Sequence, residues 1–268
     1  MWNGFKFGLL ILIVLSICSG CASRYQFNNE QNDIDIGARE HLKELDVVIL
    51  IRSEGLALPK PEKSNVSSST GGGAIPALVD AFINNNRTAT HEELNTLVKE
   101  SLTDIDHATL LKTELEEKFK RITWSKLKNI KILHLEPDWY KKGNLVQDLI
   151  DESSASAVML LNSYTVISQD YDLMKDNLGV IIYPINSNLY QYKMKLNNDP
   201  KNSLEDNIFR QSFLVETTIG NLDDQEENAK YISSDGNIKF KADLQKSVET
   251  LITKLIDGML STSKKDVD

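Results

Sequence analysis

Apolar residues along this chain recur at three spacings, and each spacing marks a different kind of element. Near the start, Phe7–Leu15 is an unbroken apolar run, broken soon afterwards by Ser16, Ser19 and Gly20. It falls short of the roughly 20 apolar residues that a membrane-spanning helix needs. A brief helical turn is expected at Ile36–Leu45. Asp46–Ile51 then carries the continuous run Val47-Val48-Ile49-Leu50-Ile51, which suits a strand covered on both faces. Ala74–Asn84 reads as a helix with Pro76 near its first turn, where a missing N–H costs nothing. Thr90–Ile122 is expected to be mainly helical, because Thr90 and Glu93 form a capping-box pattern and Leu94, Leu97, Val98 and Leu102 follow at helical spacing. A second helix of this pair starts near Asp106, with Leu110, Leu111, Leu115, Phe119 and Ile122 on one stripe.

Beyond it the spacing changes to that of strands. Asn129–Leu135 alternates, Leu145–Glu152 forms a short helix, and Ala157–Ser168 is the strongest strand signal in the chain. Asp172–Met174 and Leu178–Tyr183 continue in hairpin fashion, and Leu189–Leu196 and Ile208–Thr218 supply two more strands. A long helix closes the chain over Phe240–Leu260, with Leu244, Val248, Leu251, Ile252, Leu255, Ile256 and Met259 on one face. Strands and helices alternate first, strands then follow strands, and a helix ends the series. This order predicts an α+β fold: a single mixed sheet with a meander-like second half, covered by helices that include the long C-terminal one. Residues 35–262 are expected to form one such domain, with a mobile Ser/Gly-rich loop at 59–73 and a disordered tail at 263–268.

Cysteine usage adds an address. The chain has two cysteines, Cys18 and Cys21, and both lie in the opening segment. There, one positive charge (Lys6), the apolar run and then small residues lead into Ile17-Cys18-Ser19-Gly20-Cys21, the order an export signal needs. The segment resembles the signal of bacterial lipoproteins, in which small residues precede a cysteine that is acylated and becomes the new N-terminus. That resemblance implies that residues 1–20 are the signal peptide and Cys21 is the lipidated residue, with Ser19 and Gly20 before it and Cys18 where leucine is usual. A frame ending at Cys18 would place bulky Ile17 beside the cleavage point; an uncleaved N-terminal membrane helix is the other alternative. Residues 21–34 would then be the acylated cysteine and a polar tether, Asn/Gln-rich over Ala22–Asp33. Because Ala22 rather than aspartate follows Cys21, the resemblance implies delivery to the outer membrane, facing the periplasm, if the cell has two membranes. Cleavage before Cys21 leaves no free thiol, disulfide or cysteine metal ligand.

Charge narrows the partners. The formal net charge is −9, and loss of Lys6 with the signal makes it −10, which disfavours nucleic acid and anionic lipid surfaces as partners. The basic stretch from Lys118 to Lys131 reads as a solvated helix end and edge strand.

Candidate chemistry is sparse. His41, His91, His107 and His134 are far apart in sequence, and the Asp104-Ile105-Asp106 group beside His107 reads as a helix cap rather than a metal site. Asp223–Glu227 lacks the glycine and spacing of a calcium loop and reads as a solvated face near a helix start. Asp170-Tyr171-Asp172 is expected in a turn between strands. Gly71–Gly73 precedes a helix but matches neither phosphate-binding glycine pattern. Trp124, Trp139, Tyr140, Tyr183, Tyr190 and Tyr192 could line a sugar or peptide groove, but most sit where strands start or alternate, so core and cross-strand packing is the preferred reading. No catalytic, cofactor-binding or metal-binding residue is singled out, and no cofactor is implied. The order of elements loosely resembles the small α/β domains of envelope-assembly lipoproteins. The expectation is a lipid-anchored, non-catalytic binding or assembly module whose partners are the membrane, through acyl chains on Cys21, and an envelope protein or cell-wall component. The alternative is an envelope hydrolase or small-molecule binder using carboxylates and aromatics.

Overall fold

The computed structural model describes residues 34, 36–59, 90–102, 105–135, 145–189, 191, 207–220 and 224–261, with only the backbone at 52–55 and 235–236. The chain runs through α1 (Ile36–His41), β1 (Glu44–Ala57), α2 (90–101), α3 (His107–Lys118) and β2 (Lys126–Leu135). It continues with α4 (Leu145–Glu152), β3 (Ala157–Ile167), β4 (Leu173–Pro184), β5 (Phe209–Thr218), α5 (Gln225–Ser233) and α6 (Ile238–Leu260). The strands form one mixed sheet in the order β2-β1-β3-β4-β5. β1 lies parallel to both β2 and β3, whereas β3, β4 and β5 form an antiparallel meander. The chain therefore has the expected α+β class.

Both faces of β1 are covered, and this explains its unbroken apolar run. Val47, Ile49 and Ile51 enter the main core with α2, α3 and α6, while Val48 and Leu50 join a smaller cluster with Leu149 of α4. β3 divides the same way, with Met159 and Leu161 on the main side and Val158 and Leu160 on the other. Where α4 ends its cover, the strands alternate instead: β4 buries Met174, Leu178, Val180 and Ile182 on the main side only.

The long α6 is the main cover. Its ten buried residues include Phe240, Leu244, Val248, Leu251, Ile252, Leu255, Ile256 and Met259. Each large aliphatic side chain buried in this way is worth about 1.5–3 kcal/mol of transfer free energy. Ion pairs tie the end of α3 to its exposed flank, Lys118 Nζ to Glu249 Oε1 at 3.0 Å and Arg121 Nη2 to Asp257 Oδ1 at 2.7 Å. Gly258 lets α6 close onto β5, since a β-carbon there would meet Gln211 Oε1 at 2.8 Å.

Several boundaries depart from expectation for local reasons. The first helix stops at His41, and Leu45 already belongs to β1, which reaches Ala57. The two pieces expected at Asp172–Met174 and Leu178–Tyr183 are one strand, because Lys175-Asp176-Asn177 pairs continuously with β3 and β5. The strand expected at Leu189–Leu196 is absent at its start: residues 187–189 and 191 are helical, and 192–206 fall outside the described residues. Thr90 is already helical, so the capping position of α2 is also outside them, as are the helix expected at Ala74–Asn84 and most of the 59–73 loop.

Candidate functional site

Cys21 lies outside the described residues, as do Gly71–Gly73, Asp104, Trp139, Tyr140, Tyr190 and Tyr192. The remaining candidates are dispersed. Asp106 caps α3, its Oδ1 accepting the Thr109 N–H at 3.0 Å and its Oδ2 the Thr109 hydroxyl at 2.5 Å; these bonds hold its carboxyl below the usual range. Asp224 caps α5 by accepting from the N–H groups of Glu226 at 2.8 Å and Glu227 at 3.0 Å. Its acidic neighbours thus sit in a first helical turn, where the helix dipole favours them. Trp124 packs against the main core and Tyr183 against the smaller cluster, so these two aromatics occupy opposite faces of the sheet. A shallow depression of about 280 Å³ lies between α3 and the β2 edge, lined by Glu116, Leu127, Lys128, Asn129 and Ile130.

Three polar constellations emerge from the tertiary packing. The first is a buried acid under α6. Asp176 faces the main core from β4, fully buried, and its Oδ1 accepts a hydrogen bond from the Thr165 hydroxyl of its register partner on β3. The Ser247 hydroxyl of α6 lies beside the carboxyl, yet Asp176 Oδ2 and Ser247 Oγ close no hydrogen bond. Burial pushes the Asp176 pKa up, against the smaller lowering effects of Ser247 and Thr165. An aspartic acid in such a place is held towards its neutral form.

The second is a lock around the β3–β4 turn. Tyr171 sits in this turn with φ 55° and is fully buried. Its hydroxyl donates to Asn95 Oδ1 on α2 at 2.8 Å, Asn95 Nδ2 donates to the Pro59 carbonyl at 2.9 Å, and His91 stacks on the Tyr171 ring at 6.3 Å. Burial raises the phenol to about 12, so it remains a donor at any working pH. On the other side Asn228 Nδ2 of α5 donates to the Asp170 carbonyl at 2.9 Å. Gly220 is required there, because a β-carbon would collide with Asn228 Oδ1.

The third joins the two ends of the domain. Arg39 of α1 donates from Nε to the Ile34 carbonyl at 3.1 Å and from Nη2 to the Ser261 carbonyl just beyond α6. Its guanidinium lies 5.4 Å from the centre of the Trp124 ring. His107 stands apart, 8% exposed, with neither ring nitrogen partnered; burial lowers its pKa to about 4.

Asp176, Tyr171 and His107 are all buried among the described residues. Among the described residues no group of three or more His, Cys, Asp or Glu side chains could hold a metal ion, and no helix is long and apolar enough to cross a membrane. Asp176 fell in the gap between the two strand pieces expected at Asp172–Met174 and Leu178–Tyr183, so its inward place follows only from the uninterrupted β4. The turn holding Tyr171 was expected from the sequence, whereas its burial against Asn95 and the role of Arg39 carried no local signal. No protein-family model and no curated protein matches this sequence.

Proposed function

We propose that the chain is a lipid-anchored envelope lipoprotein, acting as a non-catalytic binding or assembly module at the membrane surface. The observation that carries this reading is the run Ile17-Cys18-Ser19-Gly20-Cys21 behind a charged and apolar lead, followed by a polar stretch and then a folded domain. Acyl chains on Cys21 would hold it firmly, since each buried methylene adds about 0.8 kcal/mol. With Ala22 next in line, the outer membrane facing the periplasm is the destination in a cell with two membranes. The enclosed positions of Asp176, Tyr171 and His107 support a structural role for these polar groups. Cys21→Ala should abolish incorporation of labelled palmitate and leave the unprocessed precursor; continued labelling would sink the anchor. Crosslinking in intact cells should recover one recurring envelope partner. Turnover of a glycan or lipid by the purified protein would overturn the non-catalytic part.

A further inference from the structure

α2 and α3 meet at a joint of apolar side chains and one histidine. Leu102, just beyond α2, is buried, and its carbonyl accepts the Ile105 N–H at 3.1 Å. Ile105 packs half-buried against the main core, Asp106 caps α3 through Thr109, and His107 is the first helical residue. Its ring is buried with Ala108, and neither Nδ1 nor Nε2 has a hydrogen-bond partner among the described residues.

This place is hostile to a positive charge for two separate reasons. A charged imidazole carries two N–H donors, and both would be buried here without an acceptor. The first turn of a helix also bears the positive end of its dipole. Asp106 favours the charged ring, yet its effect is smaller than that of burial. The other charged groups on the elements around His107 are engaged or turned outward. On α3, Lys112 pairs with Glu116 at 3.9 Å, and the α6 carboxylates Glu249 and Asp257 pair with Lys118 and Arg121 at the far end. On α6, Lys239 lies over the Tyr231 ring at 5.1 Å and Lys241 is engaged as well. Glu92, Glu93, Lys99 and Glu100 of α2 are exposed, as is His134 of β2, which acts on Asp106. β1 turns Val47, Ile49 and Ile51 to this side.

We infer that His107 makes the α2–α3 joint an acid-sensitive latch, closed while the ring is neutral and opened by its protonation, with α6 and the sheet left in place. α2 rests on Leu94, Val98 and Leu102 and on the Asn95–Tyr171 bond, whereas α6 buries ten residues. The lightly held helix is therefore the one that opens locally. The proton enters through the open form, in which the imidazole meets water. The folded value of about 4 lies below the ordinary 6.5, so the closed form has its full advantage above pH 6.5. Each pH unit below that multiplies the open fraction about tenfold, until about pH 4. Opening uncovers the apolar stripe of α2 and the core beneath it, a surface that the domain keeps closed at neutral pH.

Hydrogen exchange of the full chain at pH 7 and pH 5, corrected for the intrinsic rates, tests the latch. Protection across residues 94–102 and 107–111 should fall about twentyfold at pH 5, with no loss in α6 or β3. His107→Leu should abolish the fall, and His107→Gln, which keeps a polar side chain that does not titrate, should abolish it too if leucine repacks the joint. An equal fall in α6 and β3 would overturn the latch, because the domain would then open as a whole. Unchanged protection at pH 5 would overturn it as well. A fall that persists in both variants would move the effect to another group, such as His91 of α2, and would sink the assignment to His107.

Discussion

Two buried ionisable residues give this domain opposite responses to pH. The Asp176 carboxyl has a raised pKa in the folded state, because burial outweighs its hydroxyl neighbours. The folded protein therefore binds more protons here than the unfolded chain, and the contribution of Asp176 is lost as pH rises above the ordinary carboxylate value near 3.8. His107 runs the other way. Its folded pKa of about 4 lies below the ordinary 6.5, so stability falls as pH drops through that interval, by roughly 3 kcal/mol in all. Asp176→Asn keeps the shape of the neutral acid and removes the ionisation. It should raise the Tm at neutral pH by about 2–4 °C per kcal/mol recovered, as read by thermal denaturation. An unchanged or lower Tm at neutral pH would mean that the carboxylate is stabilised by something other than the two hydroxyls. His107→Leu should flatten the acid side of the stability curve between pH 6.5 and 4, leaving the opposite slope of Asp176 exposed. A titration of urea midpoints across that range separates the two residues.

At the scale of elements, stability depends on how helices are fastened to a sheet whose strands alternate. α2 and α5 bury modest apolar stripes, Leu94, Val98 and Leu102 in one case and Ala229 and Ile232 in the other. Both are tied to the β3–β4 turn by side-chain hydrogen bonds, through Asn95 to Tyr171 and through Asn228 to Asp170. Gly220→Ala drives a methyl into Asn228 and should cost about 1–3 kcal/mol, the usual penalty for forcing extra volume into a packed site. Hydrogen exchange should show the loss concentrated in α5, since α6 is held independently by its ten buried residues. Protection lost evenly across the sheet would contradict this division. At the outer edge of β5, Lys254 of α6 donates to the Leu214 carbonyl at 2.9 Å. Among the described residues β5 ends the sheet, and a charged group over such an edge hinders pairing with another chain.

For the whole molecule, Arg39 couples the entrance of the chain to the end of its last helix. Arg39→Ala gives up the bonds to the Ile34 and Ser261 carbonyls and the contact with Trp124, a loss of about 1–3 kcal/mol. The Tm should fall accordingly, and Arg39→Lys should recover only part, because an ammonium cannot span both carbonyls while stacking. Full recovery by lysine would show that the charge alone matters. The succession of apolar spacings was enough to specify the α+β class, the buried run of β1, α4, the α6 face and the cap at Asp106, because each depends on neighbours a few residues apart. Strand continuity through Lys175-Asp176-Asn177 was not legible. Polar residues end a strand by local preference, and here pairing with β3 and β5 on both sides overrides that preference. Local pattern also carries the proposed anchor, through the approach to Cys21, and the identity of the cations between Lys118 and Lys131. Which of those cations are paired, and that Lys126 lies beside Lys43, depended on β1 and β2 running side by side: the Lys126 N–H donates to the Lys43 carbonyl at 3.0 Å although 83 positions separate the two in sequence. Charge and apolarity are properties of residues and are carried by order alone. Burial, pairing and orientation are relations between distant residues, and they exist only once the chain has folded.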